Sequence, residues 1–255
     1  MNAISIILII VGVVLIYFLV KYLTSNTNSL QSGVENGQNP IVIPASSLAT
    51  SDGAAPSNFA YSSWFYVNDW NYRYGQPKVL FGRMGAKGQS ETTSDTSDSV
   101  SGKDPCPAVV FGAIENNLLV SLACFPGEVV EDQTAGTNTI VHTCSVANIP
   151  IQKWVHLTVS VYMRTMDIYI DGKLVKTCLL PGTANVNNAA DLHITPSGGF
   201  DGWTTKLSYF PHAMNPQDVW NIYAKGPLGW MSSMPSYHVQ VSLVENGTTQ
   251  SSVTL

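Results

Sequence analysis

The stretch Lys153-Trp154-Val155-His156-Leu157-Thr158-Val159-Ser160-Val161-Tyr162 decides the fold. Val155, Leu157, Val159 and Val161 fall on one face of an extended chain, and His156, Thr158 and Ser160 on the other. A period of two with β-branched residues on the apolar face predicts a strand with one side in a core. Downstream, residues 167–170 and 173–177 read as strands joined by Asp171-Gly172, a tight hairpin signal. Upstream, residues 108–113 and 118–125 flank the polar turn Ile114-Glu115-Asn116-Asn117. Leu118, Val120, Leu122 and Cys124 share a face there, which predicts a core position for Cys124. Residues 59–67, 77–82, 191–195 and 203–210 read as further strands. One helix is expected at Asn215-Pro216-Gln217-Asp218, with Asn as N-cap, Pro at N1 and an acid in the first turn. Gly226-Pro227 ends it. Many short strands and one short helix predict an all-β sandwich of two antiparallel sheets. Trp64, Trp154, Leu157, Val159, Ile168, Ile170 and Leu207 are expected to line or border its core.

The amino terminus is of another kind. Residues 3–20 are apolar except for Ser5 and Gly12. As a helix, residues 3–23 span roughly 30 Å, the thickness of a bilayer core. A secretory signal would carry a basic start and a small-residue cleavage site, and neither is present. A buried core helix seldom has so long an apolar run beside a polar segment. The reading is therefore one transmembrane helix over residues 1–23. Ile4, Ile10, Leu15 and Phe18 would face lipid, and Lys21 would reach the headgroups. Lys21 lies on the carboxyl side, so the positive-inside tendency slightly favours a cytoplasmic domain. Residues 24–57 read as a polar linker, with the apolar patch Pro40-Ile41-Val42-Ile43-Pro44 free to dock. The sandwich is expected over residues 58–228 and a carboxyl-terminal β-extension over 229–255. In that extension Val239, Val241 and Leu243 share a face, Asn246-Gly247 offers a turn, and the last residues can pair back.

Charged residues make up only 11% of the chain, and the formal net charge is −5. That leaves no basic surface for nucleic acid. The four cysteines, Cys106, Cys124, Cys144 and Cys178, form no CxxC pair, so a zinc knuckle is not expected. They are compatible with two disulfides in any of three connectivities, or with four reduced thiols.

Several segments together resemble the laminin-G-like domains of the concanavalin A-like lectin and glucanase superfamily. Trp154-Val155-His156-Leu157-Thr158-Val159 resembles a strand of that group, and Asp167-Ile168-Tyr169-Ile170-Asp171-Gly172 resembles its following turn. Ser63-Trp64-Phe65-Tyr66-Val67 and Gly199-Phe200-Asp201-Gly202-Trp203 are similar to two more of its strands, and residues 215–223 to its capped helix. Thr204-Thr205 departs from the family's Ile-Asp pair. The resemblance covers about residues 59–226 and implies a jelly roll of two curved antiparallel sheets.

That superfamily holds both lectins and glucanases, so chemistry must be argued from side chains. Glucanases of this fold carry carboxylates at alternate strand positions, and retaining hydrolysis places the working pair about 5 Å apart. Asp167 and Asp171 are four strand residues apart, about 13 Å, and the other acids lie in loops. The five histidines show no metal-ligand spacing. No catalytic residue and no resident metal are expected. The family admits calcium through loop oxygens, with Asn68-Asp69, Asp95, Asp98 and Asp201 as loop candidates, but about six to eight oxygens must converge and no such set is recognisable. Asp69, Trp70, Tyr72 and Tyr74 form an aromatic and acidic loop of the kind that builds sugar sites; the competing reading folds Trp70 back as a cap on the sandwich.

These features predict a non-enzymatic, membrane-anchored binding or scaffolding module. Membrane-anchored jelly rolls of this kind resemble minor capsid or inner-membrane proteins of large DNA viruses, which implies a bilayer and other chains of an assembly as partners. The alternatives are a cell-surface carbohydrate-binding or adhesion module, with glycan as partner, and a degenerate glycan hydrolase.

Overall fold

The computed structural model describes residues 28–48, 57–84, 104–126 and 139–228, the strands at 240–245 and 248–254, and residues 11, 12 and 14–16. Strands are β1 (Glu35–Asn36), β2 (Ile41–Ile43), β3 (Phe59–Asp69), β4 (Lys78–Met84), β5 (Pro105–Phe111), β6 (Asn117–Cys124) and β7 (Ile140–Ala147). They continue as β8 (Trp154–Tyr162), β9 (Thr165–Ile170), β10 (Lys173–Leu179), β11 (Leu192–Ile194) and β12 (Asp201–Phe210), followed by the helix Pro216–Tyr223 and then β13 (Gln240–Glu245) and β14 (Thr248–Thr254). Two six-stranded sheets run β1-β12-β3-β8-β9-β10 and β2-β11-β4-β5-β6-β7. Every pairing is antiparallel, as the hairpin-rich sequence predicts.

The core lies between the sheets. Val155, Leu157, Val159 and Val161 of β8 meet Leu118, Val120, Leu122 and Cys124 of β6 in one buried cluster. Leu157, Val159, Ile168 and Leu207 are core residues, and Ile170 packs against them. Trp64 and Trp154, expected to line or border the core, are not in that cluster, although Trp64 is buried and Trp154 half-buried. Their positions share strand parity with Ser62 and His156, so both side chains stand on the outer face of the first sheet. The helix covers the middle of that face, where Ala60, Tyr169, Phe210, Met214 and Val219 form a second apolar cluster. Asn215 caps the helix, its side chain accepting from the Asp218 amide at 2.9 Å.

Residues 28–48 fall in the stretch read as linker, and they are built into the sandwich. The backbone amides of Leu30 and Gln31 both donate to the Leu207 carbonyl, at 2.8 and 3.0 Å. β1 pairs with β12, and β2, the apolar patch Ile41–Ile43, pairs with β11. Leu48 is fully buried. At the opposite side a disulfide joins Cys144 of β7 to Cys178 of β10, while Cys106 and Cys124 are free thiols buried in the core. Burial pushes the Cys124 thiol up to about 11 and the Cys106 thiol to about 12.

Among the described residues no helix is long and apolar enough to cross a membrane. Ile4, Ile10, Phe18 and Lys21 of the expected anchor lie outside those residues. Val11, Gly12, Val14, Leu15 and Ile16 are helical. β13 and β14 pair antiparallel as a separate two-stranded sheet. Val241 and Leu243 stand opposite Val253 and Ser251 in that register; Val239 and the side chains of this hairpin lie outside the described residues.

Candidate functional site

The loop after β3 was the sequence candidate, and its side chains are largely turned inward. Trp70 is half-buried and meets Phe111 edge-on at 6.0 Å. Its indole donates to the Ile114 carbonyl at 3.1 Å. The Lys78 ammonium sits 4.7 Å over the same ring. Lys78 is fully enclosed, and burial, then the nearby Arg73 charge, hold its ammonium below the ordinary range. Tyr72 donates to the Gly198 carbonyl at 3.1 Å, and the Arg73 guanidinium to that of Ser197. Asp69 accepts from the Asn71 amide at 2.9 Å, closing a local turn. Only Tyr74 of this loop's aromatics is open, at 59% exposure. The loop thus caps one end of the sandwich, and no open aromatic cluster forms on it.

A partly open aromatic cluster lies on the outer face of the first sheet. Trp203 of β12, Tyr66 of β3 and Trp154 of β8 are register partners on three adjacent strands. Tyr66 meets Trp203 at 5.3 Å and Trp154 at 5.8 Å, with both pairs inclined at 65°. Edge-to-face contacts of this kind hold rings in fixed orientation. The result is a row about two strand spacings wide, roughly 10 Å. Trp203 is 40% exposed, and Tyr66 and Trp154 are half-buried. Gly202 lets β12 approach β3 here: its φ is +154°, and a Cβ would strike the Tyr66 carbonyl oxygen.

Polar groups border the row. Lys153 pairs with Asp171 at 3.1 Å, and Asp171 also accepts from the His156 amide at 2.9 Å. Asn36 stands beside Trp203 in register. Alternation in each strand places these three aromatics on one face, but their meeting requires the β12-β3-β8 order. The single strands do not reveal that order.

One pair has the outline of a nucleophile and its base. Ser62 Oγ and His156 Nε2 are 2.8 Å apart. Both residues are sealed beneath the helix, at 1% and 0% exposure. Burial pulls the imidazole down to about 4, against a smaller opposing effect of Asp171. His156 Nδ1 has no partner, because Asp171 bonds the backbone amide instead. Two further acids make structural contacts: Asp167 accepts from Thr177 at 2.6 Å and Asp201 from Asn68 at 2.8 Å. Among the described residues no group of three or more His, Cys, Asp or Glu could hold a metal ion. Asp95 and Asp98 lie outside those residues.

Fold and face together define an antiparallel two-sheet β-sandwich with an aromatic row on the outer face of its first sheet. No protein-family model and no curated protein sequence matches the chain. Solved structures share the fold. The receptor binding domain of botulinum neurotoxin C/D mosaic serotype superposes with a TM-score of 0.52 at 11% identity, over 80% of this chain and 44% of that one. The binding domain of botulinum neurotoxin DC, solved in complex with rat synaptotagmin II, gives 0.51 at 12% identity, over 83% and 51%. The chain therefore spans about half the length of these structures.

Proposed function

We propose that this protein is a non-enzymatic binding module whose Trp203–Tyr66–Trp154 row receives a carbohydrate. The carrying observation is the row itself: three rings in register on adjacent strands, edged by Lys153, Asp171 and Asn36. The C–H faces of a sugar ring pack on indoles, and its hydroxyls need donors and acceptors beside them. Exposed Trp and Tyr are costly in water and are enriched where binding energy concentrates. Sealing of the Ser62–His156 pair supports a role without turnover. The fold shared with binding domains agrees with this reading. Glycan-array binding by the full chain, compared with Trp203→Ala, tests it. Binding that falls at least tenfold with unchanged circular dichroism supports the proposal. Equal binding by the variant, or no glycan bound by either, overturns it.

A second reading concerns placement. We propose that residues 1–23 tether the module to a bilayer. The described part of that run is helical and presents Val11, Val14, Leu15 and Ile16 at 46–63% exposure. Apolar side chains at successive positions of a helix point in all directions, which suits lipid better than water. Retention in the membrane pellet after carbonate wash is the expected result, and full release would remove the tether. A scaffold role would draw on the separate β13–β14 hairpin, since a two-stranded unit is marginal until it packs on a surface.

A further inference from the structure

A cavity lies on the same outer face, lined by residues outside the aromatic row. Its volume is about 220 Å³, and it opens between β12, the helix end and the amino-terminal strap. Trp64, Phe210 and Ile222 supply its apolar wall. Ser29, Ser32 and Ser208 add hydroxyls, and Lys206 and Lys225 bring two ammonium groups to it.

Three observations give the cavity a preferred ligand. First, the two lysines are close enough for Lys225 to disfavour the charged form of Lys206, after burial, and neither has a carboxylate partner among the described residues. Lys206 Nζ donates to the Gly226 carbonyl at 2.7 Å, which uses one hydrogen and neutralises no charge. Second, Lys206 sits at φ +52° within a register break between Thr205 and Ser208. A non-glycine residue there is strained, and a bulge of this kind re-aims a side chain. The break is held in place by the Leu30 and Gln31 amides on the Leu207 carbonyl. Third, the volume is below the roughly 300–1,000 Å³ of drug-sized sites, so the ligand is small.

We infer that this cavity binds a small organic oxyanion, its carboxylate, sulfate or phosphate between Lys206 and Lys225 and its apolar body against Trp64, Phe210 and Ile222. The inference does not depend on the glycan reading, because none of its residues belongs to the aromatic row.

Calorimetry with the full chain in detergent tests it, using benzoate, phenyl phosphate, neutral benzamide and inorganic sulfate as probes. At least one of the two aromatic anions is expected to bind at least tenfold more tightly than benzamide and than sulfate; the better of the two identifies the head group. Lys225→Gln, an exposed substitution, should weaken that binding about tenfold, and Ser208→Leu should abolish it by filling the cavity. Lys153→Gln, beside the aromatic row, should leave it unchanged. Benzamide binding as tightly as the anions would remove the charge argument. Sulfate binding as tightly as the aromatic anions would remove the apolar wall. No binding of either aromatic anion at millimolar concentration, or Lys225→Gln binding like the unaltered chain, overturns the site. If Ser208→Leu fails to fold, Lys225→Gln still decides.

Discussion

His156 is a buried imidazole enclosed by rings: Trp64 lies 5.0 Å away and Tyr223 6.0 Å, and Tyr223 itself stacks on Trp64 at 5.7 Å. This arrangement fastens the helix to the sheet, and it requires a neutral imidazole. The folded-state value is near 4, against an ordinary 6.5. A depressed histidine contributes stability that is complete above pH 6.5, declines as the pH falls toward 4, and is lost below it. At 1.36 kcal/mol per unit the loss is about 3 kcal/mol. Urea unfolding at pH 7 and pH 4 should show a larger drop for the unaltered chain than for His156→Gln. Equal drops would mean the imidazole is not buried neutral. Trp154 makes the complementary case. Its ring is half-buried on the outer face, so Trp154→Ala should cost about 1 kcal/mol, well short of the roughly 3–5 kcal/mol of an enclosed aromatic. Chemical denaturation gives that number, and a cost above about 3 kcal/mol would place the ring in a core. The position was legible: Val155 and Leu157 face inward, so parity alone puts Trp154 outward with His156. Trp70 was also legible in part, since the cap reading was one of two that its loop allowed. The Tyr66–Trp154–Trp203 row was not, because register between strands far apart in sequence is set by the whole sheet.

Strands and turns show where local signals suffice. Asp171-Gly172 forms the expected turn, with φ of +49° and +75°, and a Cβ on Gly172 would lie 2.9 Å from Trp220. The sequence marks that turn because both positions demand a backbone that few residues accept. β7 was missed for the opposite reason. In Ile140–Ala147 only Cys144 is buried, so the edge strand carries no clear apolar alternation. β1 and β2 are two and three residues long, too short for any period. β7 and β10 are the last strands of their sheets, and among the described residues side chains link them. Two such contacts are the Cys144–Cys178 disulfide and the Lys176 ammonium on the Ser145 carbonyl at 2.7 Å. The linked cysteines are 34 residues apart in sequence, so the chain-entropy model assigns the link about 3–4 kcal/mol. Replacing both by serine should lower unfolding free energy by about that amount in urea titrations. A change below about 1 kcal/mol, or no difference between reducing and non-reducing conditions, would show that the seam holds without it.

At the scale of the whole molecule, a two-sheet sandwich has two open sides, and this chain closes them differently. The disulfide side joins β7 to β10. On the other side, β1 ends the first sheet and β2 ends the second, and only residues 37–40 separate them. The strap therefore crosses from one sheet to the other. It is tied by the Gly37 amide on the Gly202 carbonyl at 2.8 Å and by the Phe200 amide on the Gly37 carbonyl at 3.0 Å. Its Gln31 side chain reaches the Thr204 carbonyl and hydroxyl, both at 3.1 Å, and Leu48 is fully enclosed. A polar composition made residues 24–57 read as a tether, yet this strap protects two sheet edges from pairing with other chains. The β13–β14 hairpin has the reverse character: a clear sequence signal and no hydrogen-bonded place in either sheet. These two segments should respond oppositely to removal. A chain ending at residue 230 should keep the melting temperature of the sandwich within about 2 °C, because neither sheet loses a strand. A chain beginning at residue 49 loses β1, β2 and Leu48, exposes β12 and β11 as edges, and should melt at least 10 °C lower or aggregate on expression; about 1 kcal/mol corresponds to a few degrees in a domain of this size. Circular dichroism melts of both chains check this. If the hairpin deletion unfolds the sandwich, the sandwich depends on its hairpin; if the strap deletion leaves it unchanged, it does not depend on its strap.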